Sequence, residues 1–243
     1  MDKAYEHDNA ILAAREVLQR DYVVIDCETT GLKTPEVCQF AFINKGGGTF
    51  CTLVKPIAAI EASATAVHGI TNEALADAFP IDAYKVVLGT LSTAGALIGY
   101  NVSYDIDALS RSLRLREVVF EPPKSRVFDV MLCYAAFKGE INPRFGTFRW
   151  HKLGDALSHI GVEFNAHDAL ADAQATLTLL EYIANQNTTW EDALNLALEQ
   201  LSVSDSADMV AEEGDDGHIQ SNTDDIVALN EAIAKITYRK APK

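Results

Sequence analysis

No stretch of the 243 residues approaches the roughly 20 consecutive apolar residues that a membrane-crossing helix needs, which excludes such a helix. The opening stretch MDKAYEHDNAILAAREVLQR carries acids and no apolar core, so a secretion signal is not expected. Cysteine is scarce: Cys27, Cys38, Cys51 and Cys133 are the only four, and none forms a CxxC pair. That argues against a cysteine metal site. Three of them fall in expected strands and one in an expected helix, so they read as buried free thiols in a reducing cytoplasm. No internal repeat is present. Positive charge is also short, with 20 Lys and Arg against 35 Asp and Glu and a net charge of −15. Such a chain is a poor candidate for a general, charge-driven grip on duplex nucleic acid.

The shortage of positive charge is uneven. Asp205 to Asp225 holds eight acids and no Lys or Arg, whereas Arg111 to Lys152 holds nine Lys or Arg and four acids. An anionic substrate held on a basic rim is therefore compatible with the acidic total. Length predicts one large domain, or a domain with an appendage, and the 48% apolar fraction is ordinary for a globular protein.

The most informative stretch is Tyr22–Leu32, YVVIDCETTGL. Its apolar, largely β-branched opening (Tyr22–Ile25) predicts a buried strand, which Asp26, Cys27 and Glu28 end before a turn at Thr29-Thr30-Gly31. Residues i and i+2 of a strand share a face, about 6.6 Å apart. The Asp26 and Glu28 carboxylates thus face one small volume. Two acids closing an apolar strand are costly unless neutralised. One divalent cation, or a pair roughly 3.5–4 Å apart, suits that volume. The bland alternative is a strand that ends in a polar turn.

The remaining pattern predicts a helix over 4–20, then strands over 22–27, 37–43 and 49–54, with Gly46-Gly47-Gly48 as the hairpin turn of an antiparallel meander. Helical stretches follow around Val67–Thr71, Asn72–Ala78 and Asp82–Leu91. A strand over Ala96–Tyr100 leads to Asn101 as an N-cap and a helix over Tyr104–Leu115. A short strand over Ser125–Phe128, a helix over Asp129–Phe137 and a loop over Asn142–Phe148 come next. Helices over Leu153–Ile160, Ala169–Ala184 and Trp190–Leu201 complete the pattern. Meander strands followed by strand–helix alternation predict an α/β fold, a mixed sheet flanked by helices. We expect a domain over 1–204 with its core at 21–184, an acidic flexible linker over 205–225, and an amphipathic helix with a basic tail over 226–243.

Two further sites carry candidate chemistry. In YNVSYDIDAL, a helix capped by Asn101 places Asp105 one turn in, at the ligand-binding edge of an open α/β sheet. Asp107 lies about 200° further round and points elsewhere. In HDALAD, His167 precedes the long helix and Asp172 sits close to its apolar stripe, an odd place for a solvated acid; Asp168 reads as the cap or a solvated partner.

The order DxExTG, NxxYD, HxAxxD resembles the DEDDh group of 3′–5′ exonucleases, which have a ribonuclease H-like fold and include the proofreading subunit of bacterial replicative polymerases and RNase T-like enzymes. The motifs fall on Asp26, Glu28, Asp105, His167 and Asp172, and VHGIT around His68 resembles the proofreading branch. The similarity spans about Tyr22–Tyr182. Tyr104 stands where the family usually has Phe.

The resemblance implies two divalent cations, Mg²⁺ or Mn²⁺. Asp26 would bridge them, Glu28 and Asp172 would bind the one that activates water, and Asp105 would act through water. His167 would be the general base. It further implies a 3′-terminal nucleotide pocket at Thr30, Gly31, Leu32, Val67, His68 and Tyr104, fed by single-stranded or frayed 3′ ends of DNA. An RNA-trimming enzyme of the same fold and an inactive nucleic-acid-binding scaffold are the alternatives. Ile226, Leu229, Ile233 and Ile236 form an apolar stripe that either folds back on its own domain or docks on a partner, for which a polymerase or sliding clamp is the candidate at 200–243. Gln200-Leu201-Ser202-Val203 also resembles the start of a clamp-binding peptide, with Ser204 where an aromatic would help.

Overall fold

The computed structural model describes residues 2–164 and 167–195. The end of the expected Trp190–Leu201 helix, the acidic linker and the tail lie outside the described residues. The chain divides into two units, Met1–Gln186 and Asn187–Lys243. The described part of the second is a short stretch that turns helical at Thr189.

The first unit is built on a five-stranded sheet of order β3-β2-β1-β4-β5. Its strands are β1 (Tyr22–Thr29), β2 (Val37–Asn44), β3 (Thr49–Leu53), β4 (Ala96–Gly99) and β5 (Val127–Asp129). β1 pairs antiparallel with β2, and β2 with β3; β1 pairs parallel with β4, and β4 with β5. This is the expected mixed sheet. β1 is its central strand, and the run Tyr22–Ile25 is buried on both faces. That is why it reads as continuously apolar rather than alternating.

Helices cover both faces: α1 (Lys3–Gln19), α2 (Ala62–His68), α3 (Lys85–Thr93), α4 (Val102–Arg114), α5 (Val130–Lys138), α6 (Leu153–His159) and α7 (Ala169–Ala184). Tyr22 and Val24 point into one core with α1, α5 and α7. Val23, Ile25 and Cys27 point into the other, with α3 and α4. By the same alternation Asp26 and Glu28 belong to the α7 face.

Several expectations are corrected. β1 runs on to Thr29, with a register irregularity between Glu28 and Thr29, so the two acids lie inside the strand rather than ending it. Asn72–Ala78 is a series of turns, not a helix: Asn72 Oδ1 accepts the Ile60 N–H and Thr71 Oγ1 accepts the Ala74 N–H. These local bonds compete with helical ones. The helix expected from Asp82 begins instead at Lys85, after a 3₁₀ turn over Ile81–Ala83. Asn101 occupies the N-cap position, but in a left-handed conformation, and its side chain caps nothing. Its own N–H is donated to Asp129 Oδ1 at 3.0 Å. Cys27, Cys38 and Cys133 are buried as expected, whereas Cys51 is exposed because β3 is an edge strand. No helix among the described residues is long and apolar enough to cross a membrane.

Leu179 of α7 is fully buried in the α1–α5–α7 core. Leu179→Ala should cost roughly 2–5 kcal/mol in urea unfolding. A loss under about 1 kcal/mol would mean that α7 is not packed as described.

Candidate active site

Three distant segments converge at the end of β1. The strand supplies Asp26 and Glu28, whose neighbours on β2 are Ala41 and Gln39. The first turn of α4 supplies Asp105, and the start of α7 supplies Asp172. Asp105 is buried and accepts the Cys27 N–H at 2.9 Å, which ties α4 to the strand between the two strand acids.

Packing these acids together is electrostatically unfavourable without a counter-charge. Burial, then the charges of Asp105, Asp172 and Glu28, push the Asp26 carboxyl well above the usual range. Burial and the nearby Asp172 and Asp168 push Glu28 up to about 7. Burial pushes Asp105 up to about 8, against the opposing pull of the Cys27 N–H. Asp172 is raised too, chiefly by burial. A cation is what the cluster lacks.

His167 closes the arrangement. Its backbone is left-handed, with φ of 79°, a conformation that non-glycine residues seldom adopt and that recurs at functional sites. The bend delivers its N–H to Asp172 Oδ1 at 3.2 Å. Ligand atoms of Glu28, His167 and Asp172 all lie within 4.8 Å of one another, close enough to share one metal ion. Asp26 and Asp105 flank this trio without joining it at that distance.

Asp107 is exposed on the far side of α4, as its spacing predicts. Asp168 caps α7 by accepting the Ala171 N–H at 3.1 Å, yet its charge is felt by both Asp26 and Glu28, so it stands nearer the cluster than a solvated cap would. Gln39 went unnoticed in the sequence. Its Oε1 accepts the Ala169 N–H at 3.1 Å and its Nε2 donates to Asp168 Oδ2 at 3.3 Å, which fastens the start of α7 to β2 beside Glu28. Only a contact across 130 residues reveals it.

The residues expected to form a nucleotide pocket divide into two groups. Thr30, Gly31, His68 and Tyr104 are bonded together around the end of β1. The Tyr104 hydroxyl donates to Gly31 O at 3.0 Å and accepts from Thr29 Oγ1 at 2.8 Å. Thr30 is buried, and its Oγ1 accepts the Glu36 N–H at 3.1 Å. His68 Nδ1 accepts the Ile70 N–H at 3.1 Å, so Nε2 carries the proton and donates to Thr29 O at 3.1 Å. A side chain at Gly31 would collide with the Glu61 carboxylate. Leu32 and Val67, in contrast, are exposed apolar side chains. A hollow of about 820 Å³, lined by residues of α1, α4 and α5 that include Asp107 and Arg114, contains none of the clustered acids.

Comparison with known proteins identifies the family. Residues 23–180 match the RNase T family of exonucleases. The chain belongs to that family. The exonuclease is 35% identical over 179 residues to an uncharacterized exonuclease of Escherichia phage 186, a match covering 70% of this chain and 92% of the phage protein. It is 34% identical over 168 residues to a DNA polymerase III subunit epsilon-like protein of Rhodobacter capsulatus, covering 64% of this chain but 22% of that protein. Among solved structures, the nuclease domain of 3′hExo, a DEDDh family member bound to rAMP, superposes with a TM-score of 0.56 at 18% identity over 70% of this chain and 94% of that one. E. coli exonuclease I with a dT13 oligonucleotide gives 0.55 at 21% over 74% of this chain and 44% of that one. The fold is thus that of the DEDDh exonucleases, which implies use of a divalent metal.

A carboxyl whose folded pKa lies above its unfolded one costs the folded state stability; the penalty is absent below the unfolded value, grows as pH rises above it and is complete above the folded value. With Glu28 near 7 and Asp105 near 8, the metal-free protein should lose stability as pH rises from about 5 to about 8. Asp26→Asn should melt a few degrees higher than the parent at about pH 8 in chelator, the gap narrowing as pH falls. An equal or lower melting temperature for the variant at that pH would contradict mutual repulsion at the site.

Proposed function

We propose that this exonuclease shortens single-stranded or frayed DNA from its 3′ end by metal-dependent hydrolysis, releasing nucleoside 5′-monophosphates. The observation that carries this reading is the meeting of four carboxylates and His167 at one end of the central strand, with every carboxyl raised in pKa. The four carboxylates are a hard-oxygen donor set, which fits Mg²⁺ or Mn²⁺ and leaves the His167 imidazole as a base. Bound there, a pair of such cations supplies charge neutralisation at phosphorus and an acidified water.

The chain's own groups do the rest. Asp26, Glu28, Asp105 and Asp172 hold the metal and exclude other anions from the site. His167 Nε2 or Nδ1 accepts the proton of the attacking water. As the P–O3′ bond breaks, the phosphate stays on the departing nucleotide and the strand keeps a new 3′-hydroxyl. Leu32 and Val67 offer exposed apolar contact to the terminal base. Tyr104, its hydroxyl already committed to Gly31 and Thr29, contributes its ring. Thr30 and His68 position the turn rather than touch substrate.

The polarity rests on the DEDDh resemblance, and the dT13 oligonucleotide held by exonuclease I, a protein of the same fold, motivates a DNA single strand as substrate. The choice of DNA is supported by the epsilon-like relative, whose name also motivates a polymerase as partner of 200–243. A second reading, trimming of RNA, is favoured by 27% identity over 164 residues to RNA exonuclease 4 of Debaryomyces hansenii, covering 65% of this chain and 56% of that protein.

A 5′-labelled single strand incubated with Mg²⁺ should give a ladder shortening from the 3′ end, and chelator should stop it. A matched RNA strand should be cut more slowly. His167→Ala should lower turnover by roughly 10²–10⁴ without loss of fold. Asp26→Ala should abolish cleavage, and Asp107→Ala should retain it. Internal cuts, or full turnover in the His167 variant, would overturn the proposal.

A further inference from the structure

The segment between α5 and α6 is not used by the chemistry above, yet it is an ordered element with an unusual surface. Ile141 and Phe148 form an antiparallel bridge, so the segment is a small hairpin. Its turn is internally bonded: the Asn142 N–H donates to Thr147 O at 2.8 Å, the Gly146 N–H to Asn142 O at 2.9 Å, and the Arg144 N–H to Asn142 Oδ1 at 3.0 Å. The Arg149 N–H donates to Glu140 O at 2.8 Å and continues the pairing beyond the bridge.

On this frame two large aromatic side chains, Phe145 and Trp150, are each 65% exposed. The Arg144 guanidinium lies over the Phe145 ring, 5.1 Å from its centre. In a chain of net charge −15, the stretch 138–152 holds Lys138, Arg144, Arg149 and Lys152 against the single acid Glu140. Glu140 lies near Lys138, Arg149 and His151. Among the described residues it leaves Arg144 and Lys152 with no carboxylate partner.

The hairpin also returns to the right place. The Tyr100 hydroxyl donates to His151 O at 2.7 Å. Extending the β1–β4 register of Tyr22 with Ala96 and Val24 with Ile98 brings Tyr100 level with Asp26, one strand spacing of about 4.8 Å away. Both side chains belong to the same face of the sheet, because Tyr100 packs on the α7-side core. Trp150 and Lys152, on either side of His151, are thereby tied to the β4 side of the sheet, where Tyr100 neighbours Asp26. Asp168 and Glu61 lie on the other side, beside Gln39 and Gly31.

We propose that the 139–152 hairpin is a binding platform for the single strand 5′ of the nucleotide being removed, with bases stacking on Trp150 and Phe145 and phosphates lying against Arg144 and Lys152. Alternating aromatic and basic groups on an exposed ribbon hold single strands without regard to sequence. Such a platform gives grip to a protein whose total charge opposes nucleic acid. The inference rests on the proposed function for its occupant, but its binding test does not need catalysis.

The chain has two tryptophans, Trp150 and Trp190, so fluorescence can separate them. In chelator, an oligo(dT) of about 12 nucleotides, within the usual span of single-strand sites, should quench the emission of the parent and of Trp190→Phe. That quenching should vanish in Trp150→Phe. Quenching that survives in Trp150→Phe, or its absence in the parent, overturns the platform whether or not the protein is a nuclease. With Mg²⁺, the parent should show a lower KM for that strand than for a dinucleotide. Phe145→Ala with Trp150→Ala should erase this length dependence, raising KM for the long strand about 10-fold with kcat little changed. Trp150→Phe should restore much of it. A variant that keeps the parent's length dependence sinks the proposal, whereas a parent that binds oligo(dT) at Trp150 but cleaves nothing refutes the nuclease reading alone.

Discussion

Repulsion among four carboxylates at the end of a buried strand is the constraint the rest of the structure answers. Burial raises the pKa of Asp26, Glu28, Asp105 and Asp172, and neighbouring carboxylates, Asp168 among them, add to the rise. The fold offsets part of this. Asp105 and Asp172 each stand in the first turns of a helix, where backbone N–H groups and the positive end of the dipole face the charge. The Cys27 and His167 N–H groups donate to two of the four carboxylates. Among the described residues no Lys or Arg forms an ion pair with any of the four carboxylates, so a bound cation would relieve the remaining unfavourable energy.

The cluster at the end of β1 was legible in the sequence partly from short spacing rules and partly from the order of its motifs. Asp26 and Glu28 share a face by strand alternation, and Asp107 is exposed, as its place on α4 predicts. The mixed sheet was legible for a similar reason, since the meander strands are joined by one glycine-rich turn and one short loop. What escaped is set by contacts between distant segments. Gln39 reads as a solvent-facing position of β2 until α7 is laid beside it. Asn101 has the composition of a cap, but Asp129 has claimed its N–H and left its side chain idle. Asn72–Ala78 has ordinary helical content, and it is the reach of Asn72 to Ile60 that prevents a helix.

Net charge proved a poor guide to partners, whereas its placement was informative. The acidic excess between Asp205 and Asp225 lies outside the described residues, and the basic excess between Arg111 and Lys152 is only partly free. Arg126 is spent on the Ser92 and Ala94 carbonyls, and Arg116 on Lys55 O and Asp82. These arginines brace the sheet edge and the α3 end. The basic side chains without a carboxylate partner among the described residues include Arg144 and Lys152 of the hairpin before α6.

The parallel pairing of Tyr22 with Ala96 also has a consequence for the order in which the molecule matures. β1 and its hairpin neighbours β2 and β3 can form from local contacts. The β1–β4 ladder must close a long loop, and α7 must then return across the whole sheet, which makes these the slow, entropically opposed steps of folding. Asp172 and His167 arrive only with α7. A nascent chain therefore carries the strand acids well before it carries the last members of the cluster, and the cluster is completed in one late step.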